Sequence, residues 1–247
     1  MKRAGNNEAI LRRIWGLKGE HPFWGYRRIW AYLRYREGLP INKKRIYRLM
    51  QEHHLLVTKN QRLKATRTPA RSKPRASRPN ELWGIDMTKM MVPAWGWLYL
   101  HVVLDWYSKK IVGYNLSSRS KTRDWREALE GALNRQFPHG VREAGTLRLV
   151  SDHGSQPTSI GFMASCGLLG ISQIFTSYSN PKGNADTERV LRTIKKDLMW
   201  PNEWHTPFEL QEALDKWVKD YNEDYPHSSL KYKTPCEYER MYMANTT

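Results

Sequence analysis

Three acidic residues in this 247-residue sequence stand where carboxylates could do chemistry. Asp86 interrupts the apolar stretch LWGIDMTKMMV, and Asp152 ends the apolar run in LRLVSDHGSQPTS. Glu188 lies in GNADTERVLRTIKK, which has helical spacing. Asp and Gly are common turn residues, so a plain strand-to-turn transition is one explanation of Asp152. The other is a catalytic carboxylate at a strand end, where open α/β sheets bind their ligands.

Carboxylates that meet in a folded chain cannot all ionise unless a cation lies among them. Oxygen ligands suit Mg²⁺ or Mn²⁺, and two such ions about 3.5–4 Å apart promote in-line phosphoryl transfer. Arg192 and Lys195 follow Glu188 by four and seven positions, so all three share one face of a helix. Two explanations fit this helix face equally well. In one, Glu188 and Arg192 form a routine surface ion pair; in the other, Glu188 is a metal ligand beside cations that bind DNA.

From residue 81 the sequence alternates short apolar strands with helical segments. Strands are predicted at residues 82–92, 97–105, 109–116, 146–150 and 171–175. Helices are predicted at residues 122–136, 159–169 and 184–199, with a last helix that begins at the sequence TPFE. The order β-β-β-α-β-α-β-α-α is that of an RNase H-like α/β domain, in which the first and fourth strands are neighbours. Such a sheet would bring Asp86 and Asp152 together and pack the helix of Glu188 across their ends.

Other polar residues are assigned structural roles. Helix N-caps are predicted at Thr122, Asn184 and Thr206, the last with Glu209 in a capping box. Asp105 is expected to stabilise a strand end, and Asp186 to complement the positive N-terminus of its helix. His53 and His54 have no accompanying cysteine pair, so no zinc site is expected. Cys166 and Cys236 are expected to be ordinary reduced thiols.

All of the net charge of +17 lies in the first 80 residues, which hold 21 Lys and Arg against 4 Glu and no Asp. The remaining residues hold 20 basic and 20 acidic side chains. This concentration predicts a polyanion-binding region beside a neutral domain. No strongly amphipathic apolar face supports membrane binding, so nucleic acid is the predicted partner. The N-terminus has no apolar signal region, which predicts a cytoplasmic protein.

Residues 1–57 are predicted to form a small all-α, helix-turn-helix-like DNA-binding domain with helices at residues 7–15, 25–38 and 41–55. Asn42 is the expected N-cap of the third helix, and Ile46, Leu49, Met50 and His53 are expected to line one of its sides. Basic residues in the first turns of such a helix suit docking on DNA. The DNA-binding residues predicted there are Lys43, Lys44, Arg45 and Arg48.

Residues 58–80 carry eight basic residues, no acidic ones and three prolines. This composition predicts an extended basic linker, whose cations would bind DNA phosphates and release counterions. Its predicted DNA-binding residues include Arg71, Lys73 and Arg75. The catalytic region is then assigned to residues 81–247, with helices at its C-terminal end.

Several stretches resemble a known protein family. RPNELWGIDMTKM, WLYLHVVLDWYSKKIVGY, SDHGSQPTS and NPKGNADTERVLRTIKKDL resemble the integrase core of insertion-sequence transposases, most closely the second-frame (OrfB) product of the insertion-sequence-3 family. HPFWGYRRIWAYL resembles the family's helix-turn-helix-like segment, and YNEDYPHSSLKYKTP resembles its C-terminal signature. The resemblance covers residues 20–240 with the motifs in the family's order.

The resemblance implies a retroviral-integrase-type RNase H-like fold with a D-D-E triad, which falls on Asp86, Asp152 and Glu188 with 35 residues between the last two. It implies a basic residue seven positions after the Glu, which Lys195 supplies. Pro157 departs from the family, where an aromatic residue often follows GSQ. The implied cofactor is a pair of Mg²⁺ ions, for which Mn²⁺ can substitute. The implied reaction is cleavage that frees a 3′-OH at each element end, followed by strand transfer.

The implied partners are double-stranded DNA, at both element ends and the target, and other copies of the chain assembled on that DNA. An upstream-frame partner with a helix-turn-helix and a leucine zipper is also implied, and so is a bacterial, nucleoid-associated location. Two alternatives remain open at the level of sequence. One is another RNase H-like nuclease, and the other is a DNA-binding repressor or inactive relative.

Overall fold

A computed structural model describes residues 2–57, 74–140, 147–176 and 183–245, with the backbone alone for residues 2–6. The chain divides into two compact units. The first combines Met1–Thr66 with Asp224–Thr234, and the second combines Arg67–Glu223 with Pro235–Thr247. Residues 224–234 therefore group by their contacts with the N-terminal helices and not, as the sequence predicts, with the rest of residues 81–247.

The first unit contains three helices, α1 (Lys2–Glu20), α2 (Tyr26–Tyr35) and α3 (Lys43–Glu52). The predicted N-cap of α3 is confirmed, because the Lys44 amide donates a 2.9 Å hydrogen bond to Asn42 Oδ1. The expectation for His53 was wrong. Since α3 ends one residue earlier, His53 is an exposed C-cap and does not line the buried side with Ile46.

The segment Asp224–Thr234 completes the first unit by packing on its aromatic residues. The Tyr225 ring meets Trp24 edge-on with centroids 5.2 Å apart, and Tyr232 meets Trp30 in the same way at 5.2 Å. The two sequence stretches that resemble the family's N-terminal and C-terminal signatures therefore contact each other inside one small unit.

The second unit is built on a five-stranded sheet in the order β3-β2-β1-β4-β5. Its strands are β1 (Leu82–Val92), β2 (Gly96–Asp105), β3 (Ile111–Ser117), β4 (Arg148–Ser151) and β5 (Ser172–Phe175). The first three form the predicted antiparallel meander, and β4 is parallel to both β1 and β5. The predicted α/β architecture, with β1 and β4 adjacent, is confirmed.

Helices cover both faces of this sheet. They are α4 (Thr122–Gln136), α5 (Ile160–Leu168), α6 (Ala185–Ile194), α7 (Pro207–Glu223) and α8 (Pro235–Ala244). Three details differ from the sequence prediction. The helix predicted to be last is followed by α8, and α6 continues into a π-helical turn at Lys195–Met199. The N-cap position of α4 is Lys121, while Thr122 begins the helix and donates from Oγ1 to Ser159 Oγ.

The capping box predicted for α7 forms with a shift of one residue. The Glu209 amide donates to Thr206 Oγ1 at 3.2 Å, as expected of an N-cap. The Glu209 carboxylate accepts a 3.0 Å hydrogen bond from the His205 amide, which precedes the cap, so it still ties down the chain entering the helix.

The side chains of β1 alternate between two differently packed faces. Trp83 and Ile85 point into a buried apolar cluster with residues of α4 and α5. Gly84 points to the opposite face, where α6 lies. A Cβ at Gly84 would overlap Thr187 Oγ1 and Trp106 Nε1, so glycine is what allows this close approach of helix and strand.

Cys166 is buried, Cys236 is half-buried, and both are free thiols. Burial raises the pKa of Cys166 to about 12, so its thiol stays protonated and unreactive. Across the described ranges, none of the helices combines the length and apolar character needed to cross a membrane.

We expect Gly84→Ala to lower the free energy of unfolding by about 2–3 kcal/mol, as overpacking of a tight interface does. Gly131→Ala is the matched control, because Gly131 lies in α4 with no atom within 4 Å of the added methyl. That change should be neutral or stabilise the protein by up to about 1 kcal/mol. Urea unfolding of both variants checks the prediction, and equal stabilities would contradict the packing described for α6.

Candidate active site

The pairing of β1 with β4 sets two of the predicted acidic residues side by side. Gly84 lies opposite Val150 in this parallel pair. The pairing ends there, and Asp86 and Asp152 each lie two residues further along, Asp152 just beyond the end of β4. Neighbouring strands are about 4.8 Å apart, and side chains two residues apart along a strand share a face. Both carboxylates therefore belong to the face on which α6 packs.

A buried hydrogen bond fixes α6 over this face. Trp106 Nε1 donates to Thr187 Oγ1 at 3.1 Å, and the Thr187 side chain is wholly buried against Gly84. Because Glu188 follows Thr187 directly, the anchor also determines where the third acidic residue lies. Neither Trp106 nor Thr187 was singled out in the sequence, whereas a glycine inside a strand is a readable signal of close approach.

Asn184 occupies the predicted N-cap position of α6, but its side chain makes no capping hydrogen bond. It is buried, and its Nδ2 donates a 3.4 Å hydrogen bond to the Ile85 carbonyl of β1. Asp186 is also buried, and its Oδ2 accepts from Lys109 Nζ at 2.8 Å. These two contacts attach the first turn of α6 to the sheet, and Asp186 lies apart from the predicted triad.

A cleft of about 320 Å³ opens where α6 crosses β1. Its walls include the carboxylates of Asp86 and Glu188 and the cationic side chains of Arg192 and Lys195. The prediction that Glu188, Arg192 and Lys195 share one face of the helix is confirmed, since all three line this cleft. The remaining lining is largely apolar and consists of Met87, Thr88, Leu191 and Trp200.

The environment of Asp86 favours its neutral form. Burial raises the pKa of Asp86 to about 7, and the carboxylates of Asp152 and Glu188 contribute in the same direction. A 2.8 Å hydrogen bond from the Met87 amide and the charge of Lys195 act against this rise. Asp152 and Glu188 thus both lie near enough to disfavour the charged form of Asp86, and a bound cation would relieve that repulsion.

The chemistry of this donor set fits a hard divalent cation, because all its ligands are carboxylate oxygens. The side chains do not yet converge, since Asp152 is exposed and its Oδ1 accepts a 3.0 Å hydrogen bond from the Gly154 amide. Within the described ranges, no three Asp, Glu, His or Cys side chains surround a common metal position. His53 and His54 are accordingly not part of such a group.

Asp105 is wholly buried and serves the turn that follows β2. One carboxylate oxygen accepts from the amide and hydroxyl of Ser108, each at 2.7 Å, and the other accepts from the Asn80 amide at 2.9 Å. Burial raises the pKa of Asp105, and these hydrogen bonds act in the opposite direction. Both oxygens are occupied by the protein's own donors, which agrees with the predicted structural role.

The basic residues predicted to bind DNA from α3 have different surroundings. Lys43 Nζ lies 4.4 Å from the centre of the Trp30 ring, and Arg45 donates twice to Asn7 Oδ1. These two cations therefore stabilise the helical unit itself. Lys44 is exposed on the outer side of α3.

Arg48 is also exposed, and its Nε lies 3.6 Å from a Glu52 carboxylate oxygen. Surface pairs of this kind hold their partners weakly, so the guanidinium remains available to a phosphate. In the linker, Arg75 is exposed, whereas Arg71 and Lys73 lie outside the described residues, as does all of the linker before residue 74.

Comparison with protein families assigns both regions of the chain. An integrase core domain model matches residues 76–181, a second integrase core domain model matches residues 169–235, and an HTH-like domain model matches residues 6–62. The transposase InsD for insertion element IS2A/D/F/H/I/K of Escherichia coli is 26% identical over 241 residues, which cover 96% of this chain and 80% of that protein. The chain belongs to the integrase-core transposases.

The family resemblance of the sequence is thereby confirmed, and solved structures confirm the fold. The transposase aligns with the simian T-cell lymphotropic virus intasome in complex with PP2A regulatory subunit B56 gamma at a TM-score of 0.53 and 19% identity, over 85% of this chain and 73% of that chain. It aligns with the HTLV-2 integrase catalytic core domain in complex with magnesium (trimeric form) at a TM-score of 0.50 and 19% identity, over 67% of this chain and 99% of that chain.

Gly154→Ala in the transposase tests whether the position of the Asp152 carboxylate matters. The added Cβ would lie 2.9 Å from Asp152 Oδ1, so this oxygen must move aside; if Asp152 acts in catalysis as predicted, a misplacement approaching 1 Å would cost up to roughly 100-fold in rate. Gly167→Ala in α5 is the control, since no atom lies within 4 Å of its added methyl. We expect metal-dependent plasmid nicking to fall only in Gly154→Ala, with both variants as stable as the parent. Full activity of Gly154→Ala would show that the carboxylate position is unimportant.

Proposed function

We propose that this transposase cleaves DNA at the ends of an insertion sequence and joins the freed 3′-OH to target DNA, using Asp86, Asp152 and Glu188 as a D-D-E triad. The observation that carries the proposal is that Asp86 and Glu188 line one cleft with Arg192 and Lys195, while Asp152 at the end of β4 lies near enough to raise the pKa of Asp86. Acidic metal ligands beside phosphate-binding cations are what phosphoryl transfer on DNA requires.

The triad would hold two Mg²⁺ ions, or Mn²⁺ in their place. When bound, such ions activate the attacking oxygen and stabilise the leaving oxygen of an in-line displacement. The solved HTLV-2 integrase core, which has this fold, is a complex with magnesium. The Asp152 carboxylate could hold metal with one oxygen while the other keeps its hydrogen bond from the Gly154 amide, which would orient it.

The chain's own residues prepare the site for an anionic substrate. Lys195 favours the ionised form of Asp86, which burial and the other two carboxylates oppose. Exposed Arg192 and half-buried Lys195 would bind phosphate oxygens next to the scissile bond. In the first step a water oxygen bonds to phosphorus as the 3′-oxygen leaves and takes up a proton. In the second, the oxygen of that 3′-OH loses its proton and bonds to a target phosphorus, while the target's own 3′-oxygen leaves and is protonated. No protein side chain forms a covalent intermediate.

DNA would be held by the HTH-like domain and the basic linker. We propose residues 1–57 as the first of these and residues 58–80 as the second, with residues 81–247 as the catalytic region apart from the segment Asp224–Thr234. Lys44 and Arg48 are the best-exposed candidates on α3, and Arg71, Lys73 and Arg75 are the candidates in the linker. Copies of the chain would assemble on two element ends, together with an upstream-frame helix-turn-helix and leucine-zipper partner. The protein would act on nucleoid DNA in a bacterial cytoplasm and would not bind membranes.

We expect Glu188→Gln to reduce metal-dependent nicking and joining of supercoiled plasmid by about 100-fold or more, since losing one electrostatic stabiliser of a transition state costs that much. Glu212→Gln on α7 is the matched control, because Glu212 is exposed and does not line the cleft. Both variants should bind DNA as the parent does.

Nicking that survives in Glu188→Gln would overturn the triad assignment. Activity that requires the triad but ignores element-end sequences would favour a different RNase H-like nuclease. DNA binding without activity in the parent, even when it is fused to its upstream partner, would indicate a repressor or inactive relative.

We expect Lys44→Gln and Arg48→Gln each to reduce the slope of log K against log salt concentration by about 1, because each removes one phosphate contact. Lys43→Gln is the comparison, since Lys43 packs on the Trp30 ring. It should lower stability more than it changes the salt slope. DNA-binding isotherms at several salt concentrations check this, and unchanged slopes for Lys44 and Arg48 would exclude them from the interface.

A further inference from the structure

Trp200 is an unusual residue to find in the lining of a charged cleft. The residue is 61% exposed, although it lines the same cleft as Asp86 and Glu188. An exposed indole forgoes the favourable burial of a large apolar surface. Its neighbours in the sequence do not share this exposure, since Leu198 and Met199 are both buried.

The π-helical turn explains how Trp200 reaches the cleft. The Trp200 amide donates a 2.8 Å hydrogen bond to the Lys195 carbonyl, five residues earlier, where an α-helix would use the carbonyl four residues earlier. Trp200 is the twelfth residue after Glu188, and the π-turn accommodates one extra residue. Its side chain therefore points in the direction that the eleventh residue would have in a regular α-helix. Eleven residues make about three turns of 3.6 residues, which returns the side chain to the face of Glu188. In a regular α-helix, the twelfth residue would point roughly 120° away.

The backbone around Trp200 is held in place by side chains that follow it. Asn202 Nδ2 donates to the Leu198 carbonyl at 2.8 Å, and Trp204 Nε1 donates to the Met199 carbonyl at 3.1 Å. These bonds satisfy carbonyls that the end of a helix leaves unpaired. The indole is therefore presented to solvent from a fixed backbone, as a preorganised binding surface requires.

We propose that Trp200 stacks on a base of the substrate DNA next to the phosphodiester that reacts, while Arg192 and Lys195 contact phosphates of the same strand. This inference rests on the proposed function and adds a residue to its active site. A base fits the chemistry because it offers a planar face to the indole and carries its anionic phosphates to the two cations. An apolar protein partner fits poorly, since covering Trp200 would also remove the charged lining of the cleft from water.

The first test measures nicking and joining of supercoiled plasmid with Mg²⁺ or Mn²⁺. Trp200→Ala should lower the rate about 5- to 150-fold, the range expected for loss of one stacked base, and Trp200→Phe should restore most of it. Trp95→Ala is the matched control, because Trp95 is also strongly exposed but lies in the β1–β2 turn outside the cleft. It should act like the parent. Thermal unfolding of each variant establishes that it is folded.

The second test needs no catalysis. A blunt-ended duplex with 5-iodouracil in its terminal base pairs is bound to the full chain in EDTA, irradiated, and the crosslinked peptide is identified by mass spectrometry. We expect the crosslink at position 200 in the parent and in Trp200→Phe, and its loss in Trp200→Ala. Crosslinking only elsewhere in the parent, or parental rates in Trp200→Ala, would overturn the stacking role. A rate loss with an unchanged crosslink pattern would also overturn it and point to a protein contact, such as a second copy, visible by light scattering.

The two tests separate this inference from the proposed function. If nicking by the parent is unaffected by Glu188→Gln, the triad is wrong whatever Trp200 does. If Glu188→Gln abolishes nicking while Trp200→Ala leaves both nicking and crosslinking unchanged, the triad stands and only the stacking role fails.

Discussion

The candidate active site depends on the close approach of one helix to one strand. Gly84 leaves room on β1 for Thr187, whose hydroxyl accepts the indole hydrogen bond of Trp106. This buried contact sets the height and rotation of α6 above the sheet, so it places Glu188 over the strand that carries Asp86. Larger residues at Gly84 would move the helix, and with it both the acidic and the basic residues of the cleft.

Charge balance is the second constraint on this site. Asp86 lies in a largely buried position near two other carboxylates, which raises its pKa to about 7, and nearby Lys195 offsets only part of this effect. A fold that gathers acidic residues in this way gives up stability that a bound cation can restore. One oxygen of Asp86 accepts a hydrogen bond from the Met87 amide, and one oxygen of Asp152 accepts one from the Gly154 amide.

The small helical unit shows a different use of charge. Although the first 80 residues carry all of the net charge, Lys43 and Arg45 lie against Trp30 and Asn7 and support the unit's own packing. Only part of a basic stretch is therefore free to meet phosphates. The return of Asp224–Thr234 to this unit means that residues far apart in the chain share one small core.

The sequence by itself determined the order and type of the five strands and of helices α1 to α7, because apolar periodicity and turn residues act over a few neighbouring positions. It also indicated the three carboxylates and the basic residues that share the helix face of Glu188. Tertiary structure alone decided the contact of Trp106 with Thr187, the reach of Asn184 to β1 and the π-turn that directs Trp200 into the cleft. Such features depend on partners up to a hundred positions away or on how a helix end packs, and neither leaves a local pattern in the chain.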